Sequence, residues 1–251
     1  MANYLRQLSR FTTCDIADGL LNVYKISTGG YIPNLTRWTT PKPSPPQQQQ
    51  EQQHLQTQPS SVVGRAYTVL FAPSSDPRPT VNYIDSVPRD SFLVLGMEQS
   101  LQQAQAPYTT VTQAMFGGLM GTRATQLGAN GAVILGRIRD INELEELHLP
   151  VYSYALGACA GKPAIRCVGI NETLSVLTSD GSVQKIASGD YIVGDRHGIV
   201  RIPTEGVDLE HLIRYIEKSV EADELVMEDI RAGRSVKEAK AARRASLKQY
   251  I

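Results

Sequence analysis

The stretch FGGLMGTRATQLGANGAVILGRIRD, residues 116–140, restricts the fold more than any other part of the chain. Two adjacent glycines open a run of small residues and helix formers. Gly128 and Gly131 supply stop signals, and the apolar run GAVILG comes immediately after. A helix feeding directly into a buried strand calls for a sheet covered by helices, so the expected fold class is α/β. The strand ends abruptly on Arg137, Arg139 and Asp140, charged groups that a core strand has no use for.

The rest of the chain extends this pattern. TTCDIADGLL reads as a helix capped by Thr12 or Thr13, with Ile16, Leu20 and Leu21 as its apolar stripe and Asp18 within it. SVVGRAYTVLFAP (61–73), SFLVLGM (91–97), VYSYALG and AIRCVGI read as strands, and 114–131 as a loop entering a helix. DINELEELHLP is a short helix stopped by Pro150. Residues 174–203 read as strand–turn–strand, punctuated by Asp-Gly and Gly-Asp. The tail from Gly206 to Ile251 is helical, with Ser235 and Glu238 as a capping box for its last helix. The Pro/Gln-rich run at about 40–61 has almost nothing to bury. It is expected to be a disordered insertion within one domain spanning 1–251, which makes His54 a poor ligand.

Composition removes several function classes. Hydrophobic residues make up 41% of the 251, enough for a real core. With 25 Lys+Arg against 25 Asp+Glu there is no electrostatic reason to expect nucleic acid or an anionic membrane as partner, and the basic tail 231–251 reads as a solvated helix. No apolar run spans a bilayer and MANYLRQLSRFTTCD has no leader-like apolar region, so a cytoplasmic protein is expected. Cys14, Cys159 and Cys167 have no C-x-x-C spacing and read as free thiols.

Two features carry chemistry. Gly117 and Gly118 bare the backbone where a helix begins, and Gly117–Met120 can present amides to a carboxylate or phosphate; tight packing against a sheet explains the glycines equally well. At the carboxyl end of the strand, Arg139 can grip a planar carboxylate and Asp140 can ligate a hard cation. The competing local reading makes Asp140 the cap of INELEEL, with Glu143 completing a box-like pair. Together the helix start and the Arg-Asp pair form one α/β unit whose ends can converge on a small acid, with a cation placed to stabilise an enolate. Other chemistries lack their residues. There is no G-x-G-x-x-G, no phosphate-loop signature and no G-x-S-x-G elbow. Lys162 and Lys185 do not look desolvated enough for a Schiff base, and His148 and His197 read as surface or turn residues.

The same stretch resembles the central motif of the RraA-like family, which includes the 4-hydroxy-4-methyl-2-oxoglutarate (HMG) and 4-carboxy-4-hydroxy-2-oxoadipate (CHA) aldolases. The likeness lies in the glycine-started helix, the apolar strand and the Gly-x-x-Arg-Asp ending Gly136–Asp140, and continues through TTCDIADGL, LPVYSYALG and ASGDYIVGDRHGIVRIP. It looks nearest to the eukaryotic branch. The resemblance implies a swivelling β/β/α domain with flanking N- and C-terminal helices, assembled as a homotrimer or hexamer. It implies a lyase that uses Mg²⁺ or Mn²⁺ to release pyruvate from HMG or CHA and that decarboxylates oxaloacetate. By position, Gly117, Gly118, Leu119 and Met120 match the substrate loop, Arg139 the substrate arginine and Asp140 the metal ligand. Many bacterial members carry an acidic residue where Gly118 stands. The family also contains non-catalytic regulators that bind ribonuclease E, which is the alternative function. Asp18, Asp190 and Asp195 are candidate supporting or interface groups, with Asp190 read as a turn residue.

Overall fold

The computed structural model describes residues 2–40 and 61–251; the expected disordered insertion and His54 lie outside the described residues. Its centre is a sheet with strands in the order β1(Tyr31–Ile32), β12(Gly198–Ile202), β11(Tyr191–Asp195), β3(Val62–Pro73), β4(Ser91–Met97), β6(Gly131–Ile138), β7(Val151–Leu156) and β2(Thr36–Arg37). The inner strands β3, β4, β6 and β7 are parallel. Every residue of β4 is buried, as expected of a strand covered on both faces. β11, β12, β1 and β2 join antiparallel at the flanks. β5(Ala114–Phe116) adds to β6, and β8(Ile165–Ile170) adds to β3. β9(Leu174–Leu177) and β10(Val183–Ile186) form a separate hairpin. The expected mixed α/β architecture, with an antiparallel segment toward the end, is therefore observed.

One core packs α3(Gly118–Leu127) and α4(Ile141–Glu146) against the sheet through Ala124, Leu144, Phe116, Ile134 and Ile138. A second gathers α1(Ala2–Leu8), α2(Thr13–Tyr24) and α5(Leu209–Arg231) over β11 and β12. Thr12 is the cap of α2 and forms a full capping box with Asp15. Ile16 and Leu20 are buried there, but Leu21 is 43% exposed, so it falls outside the expected stripe. Ser235 caps α6(Val236–Arg243) as the sequence indicates.

Three local readings change. Residues 114–116 form a strand rather than a loop, because they pair with the end of β6. Gly128 alone ends α3, at φ 89, while Gly131 already belongs to β6. The apolar strand also runs past GAVILG to Ile138, carrying Arg137 within it.

Candidate functional site

β5 and β6 end side by side: the Arg139 N–H donates to the Phe116 carbonyl at 3.0 Å. The residues just beyond the two strands are therefore brought together, Gly117–Gly118 on one side and Arg139–Asp140 on the other. Gly117 precedes α3 in extended backbone without a side-chain cap. The first intrahelical bond runs from the Gly121 N–H to the Gly117 carbonyl, so the amides of Gly118, Leu119 and Met120 precede the ladder. The Gly118 N–H donates to Asp140 Oδ2 at 3.1 Å. The Arg139 Nε lies 3.4 Å from the same oxygen, with the two side chains 37% and 32% exposed.

This geometry removes the reading of Asp140 as the cap of the helix that follows it. It stands immediately before α4, but its backbone is left-handed at φ 59, ψ 46, and its side chain makes no cap bond to that helix. The expected Asp140–Glu143 capping pair does not form. Asp140 instead serves α3, twenty-two residues earlier in the chain, where a carboxylate complements the helix dipole.

The close approach explains both glycines. A Cβ on Gly117 would stand 2.5 Å from Asp140 Oδ2 and 3.0 Å from Arg139 Cγ. A Cβ on Gly118 would stand 1.7 Å from Glu143 Oε2. Glu143 thus delivers a carboxylate over the start of α3, at the position where the resemblance leads one to expect an acidic side chain from residue 118 itself. Along the chain Glu143 is legible only as a capping partner. Its spacing of three from Asp140, one helical turn on, is the available signal.

On the other flank of α3, Met120 lines a cleft of about 490 Å³ together with Phe71, Tyr83, Ile165 and Lys162. Burial pushes the Tyr83 phenol above its ordinary range and the Cys167 thiol up to about 11, so both stay protonated at neutral pH. Lys162 and Lys185 are exposed, as expected. Leu119, 77% exposed, projects from the first turn of α3.

The remaining acids lie elsewhere. Asp18 is exposed on α2. Asp190 is buried, closing its turn on the Ala187 N–H and pairing with Arg201 Nε at 2.6 Å. Asp195 is buried and accepts from Thr13 N, Thr13 Oγ1 and His197 N at 2.8, 2.8 and 2.7 Å. Both are consumed structurally. His148 and His197 are exposed.

For a metal, the donor chemistry is that of a hard, hydrated ion. Among the described residues no group of three or more His, Cys, Asp or Glu side chains is arranged as a cage. Asp140 Oδ2 is engaged by Gly118 and Arg139, which leaves Oδ1 as the donor for a cation, with Glu143 as a second oxygen donor one turn on. A single protein carboxylate fits Mg²⁺, which usually keeps several waters. Among the described residues no helix is long and apolar enough to cross a membrane.

Comparison with known proteins agrees with this framework. Protein DlpA of Legionella pneumophila is 26% identical over 153 residues, covering 59% of this chain and 22% of DlpA. The uncharacterized protein MJ0644 of Methanocaldococcus jannaschii is 30% identical over 125 residues, half of this chain and 56% of its own length. The chain thus spans well under two thirds of either relative. An uncharacterized protein from Pseudomonas syringae superposes with a TM-score of 0.68 at 21% identity, covering 96% and 98% of the two chains. Streptomyces coelicolor RraAS2, described as an unusual member of the RNase ES inhibitor RraA family, does so at 0.60 and 17%, covering 93% and 98%; both show the shared fold. Residues 13–201 match the RraA-like family, described as Aldolase/RraA, and the chain belongs to that family.

Proposed function

We propose that this protein is a divalent-metal-dependent lyase that cleaves HMG or CHA to release pyruvate, with oxaloacetate decarboxylation as a side activity. The observation that carries the reading is the convergence of Arg139, Asp140 and the first turn of α3, whose Gly118 amide Asp140 already holds, on one partly exposed spot.

Arg139 presents a planar fork to the carboxylate of the 2-oxo acid. The amides of Leu119 and Met120, aided by the helix dipole, hold the same end. Asp140 would hold Mg²⁺ or Mn²⁺, with the Glu143 carboxylate as a second candidate donor. When bound, such a cation supplies Lewis-acid stabilisation of the negative charge that develops on the carbonyl oxygen. In this reading Glu143, whose carboxylate lies over the start of α3, takes up the C4 hydroxyl proton as the C3–C4 bond breaks. The negative charge left on the pyruvate fragment is balanced by the Arg139 guanidinium, and the proton taken up by Glu143 returns to C3, directly or through a water. Assembly as a cytoplasmic homotrimer or hexamer belongs to the same proposal.

The test is pyruvate formation from HMG and from oxaloacetate, with Mg²⁺ or Mn²⁺ and again with excess EDTA. EDTA-sensitive pyruvate from HMG is expected. Release from oxaloacetate alone keeps the chemistry and changes the substrate. A second reading, a non-catalytic oligomeric regulator, is favoured by the exposed Leu119 at the site and by the description of RraAS2. A well-folded protein inactive on both substrates would establish that reading over the lyase.

A further inference from the structure

A second polar cavity, of about 570 Å³, lies away from α3, between β2 and the turn joining β11 to β12. Leu35, Thr36, Arg37 and Arg196 line it. The two arginines come from different elements. β2 pairs with β7 so that Arg37 stands opposite Tyr152. Tyr152 is fully buried, and its hydroxyl donates to the Asp195 carbonyl at 3.0 Å. Tyr152 therefore links the strand position facing Arg37 to the residue that precedes Arg196.

Among the described residues no carboxylate lies within ion-pair distance of Arg37 or Arg196. The adjacent Asp195 carboxylate is turned inward and saturated by Thr13 and the His197 N–H. In a chain whose net charge is zero, two uncompensated arginines around one concavity are a local feature rather than a consequence of composition.

We propose that this cavity binds a small phosphorylated molecule through its phosphoryl group, independently of the lyase reading. Two forks approaching from separate elements require acceptors in two directions. A phosphoryl dianion also matches two guanidinium charges, whereas a carboxylate carries only one negative charge. The largely polar wall, with Leu35 as its one aliphatic side chain, suits a compact hydrated anion rather than an apolar body.

The test is calorimetric titration of the full chain with inorganic phosphate at low salt, with acetate as the comparison anion. Phosphate is expected to bind and acetate to bind at least about tenfold more weakly. Arg37→Gln and Arg196→Gln should each weaken phosphate about tenfold or more, and the double variant should abolish it. Arg214→Gln, an exposed arginine on α5, should leave binding unchanged. Phosphate held no better than acetate, equal loss in Arg214→Gln, or binding that survives both cavity variants but is lost in Arg139→Lys would each overturn the proposal.

Discussion

The carboxylate of Asp140 accepts the backbone N–H of Gly118 at 3.1 Å, so the residue that precedes one helix completes the start of another. With the Arg139 N–H to Phe116 carbonyl bond, that contact holds the Arg-Asp end of β6 against the glycine-started end of α3. Catalytic loss after substitutions here is therefore expected without loss of fold.

Asp140→Asn is the cleanest change. Asparagine tolerates the left-handed backbone at φ 59 and still offers an oxygen to Gly118, so only the charge is removed. Metal-dependent pyruvate release should fall by roughly a hundredfold or more. The midpoint of urea unfolding should move by less than about 1 kcal/mol equivalent. Near-normal turnover would remove Asp140 from the metal site.

Gly118→Ala and Glu143→Gln should act together. The added Cβ meets the far end of Glu143, which can swing away, and stands 3.1 Å from its Cβ, which needs only a small shift of the neighbouring helix. Activity should nevertheless drop in both variants by roughly ten- to a hundredfold, and the double variant should lose little more than either alone. Additive losses in steady-state kinetics would separate the two residues.

Asp195→Ala should cost stability rather than chemistry. Its carboxylate ties the start of α2 to the β11–β12 turn through Thr13 and His197. Removing these buried, charge-assisted bonds should destabilise by about 3 kcal/mol in urea denaturation. Substrate KM in the folded fraction should be unchanged.

The C-terminal helix should loosen in acid. Arg243 and Arg234 bear on Asp229 at 2.8 and 3.0 Å and lower its pKa from 3.8 to about 2. A carboxylate depressed in the folded state contributes stability above its ordinary value of 3.8, and loses it as pH falls toward about 2. Hydrogen exchange in α6, corrected for intrinsic rates, should accelerate across that window, less steeply at high salt. Asp229→Asn should show the loosened rate already at pH 6.

Much of the architecture is legible along the chain because its signals are local. The apolar runs of β3, β4 and β6, the Thr12 and Ser235 caps and the Gly128 stop each depend on neighbours a few residues away. Gly117, Gly118, Arg139 and Asp140 are legible as candidates for the same reason, since glycine and charged residues stand where helix and strand propensity alone would not place them. The partnership is not legible. Locally, Asp140 and Glu143 make a sound capping pair, and only the pairing of β5 with β6 brings a competing donor, the Gly118 N–H, within reach. The inward turn of Asp195, the burial of Asp190 and the meeting of Arg37 with Arg196 likewise join elements far apart in sequence. The sequence by itself determined the main helices and strands and which residues are candidates for chemistry, because propensity and hydrophobic period act over one turn or one pleat, while the short β5 depended on its partner β6. Only the tertiary structure decided which donor each carboxylate meets, because that depends on strand order and register, quantities set by the packing of the whole sheet.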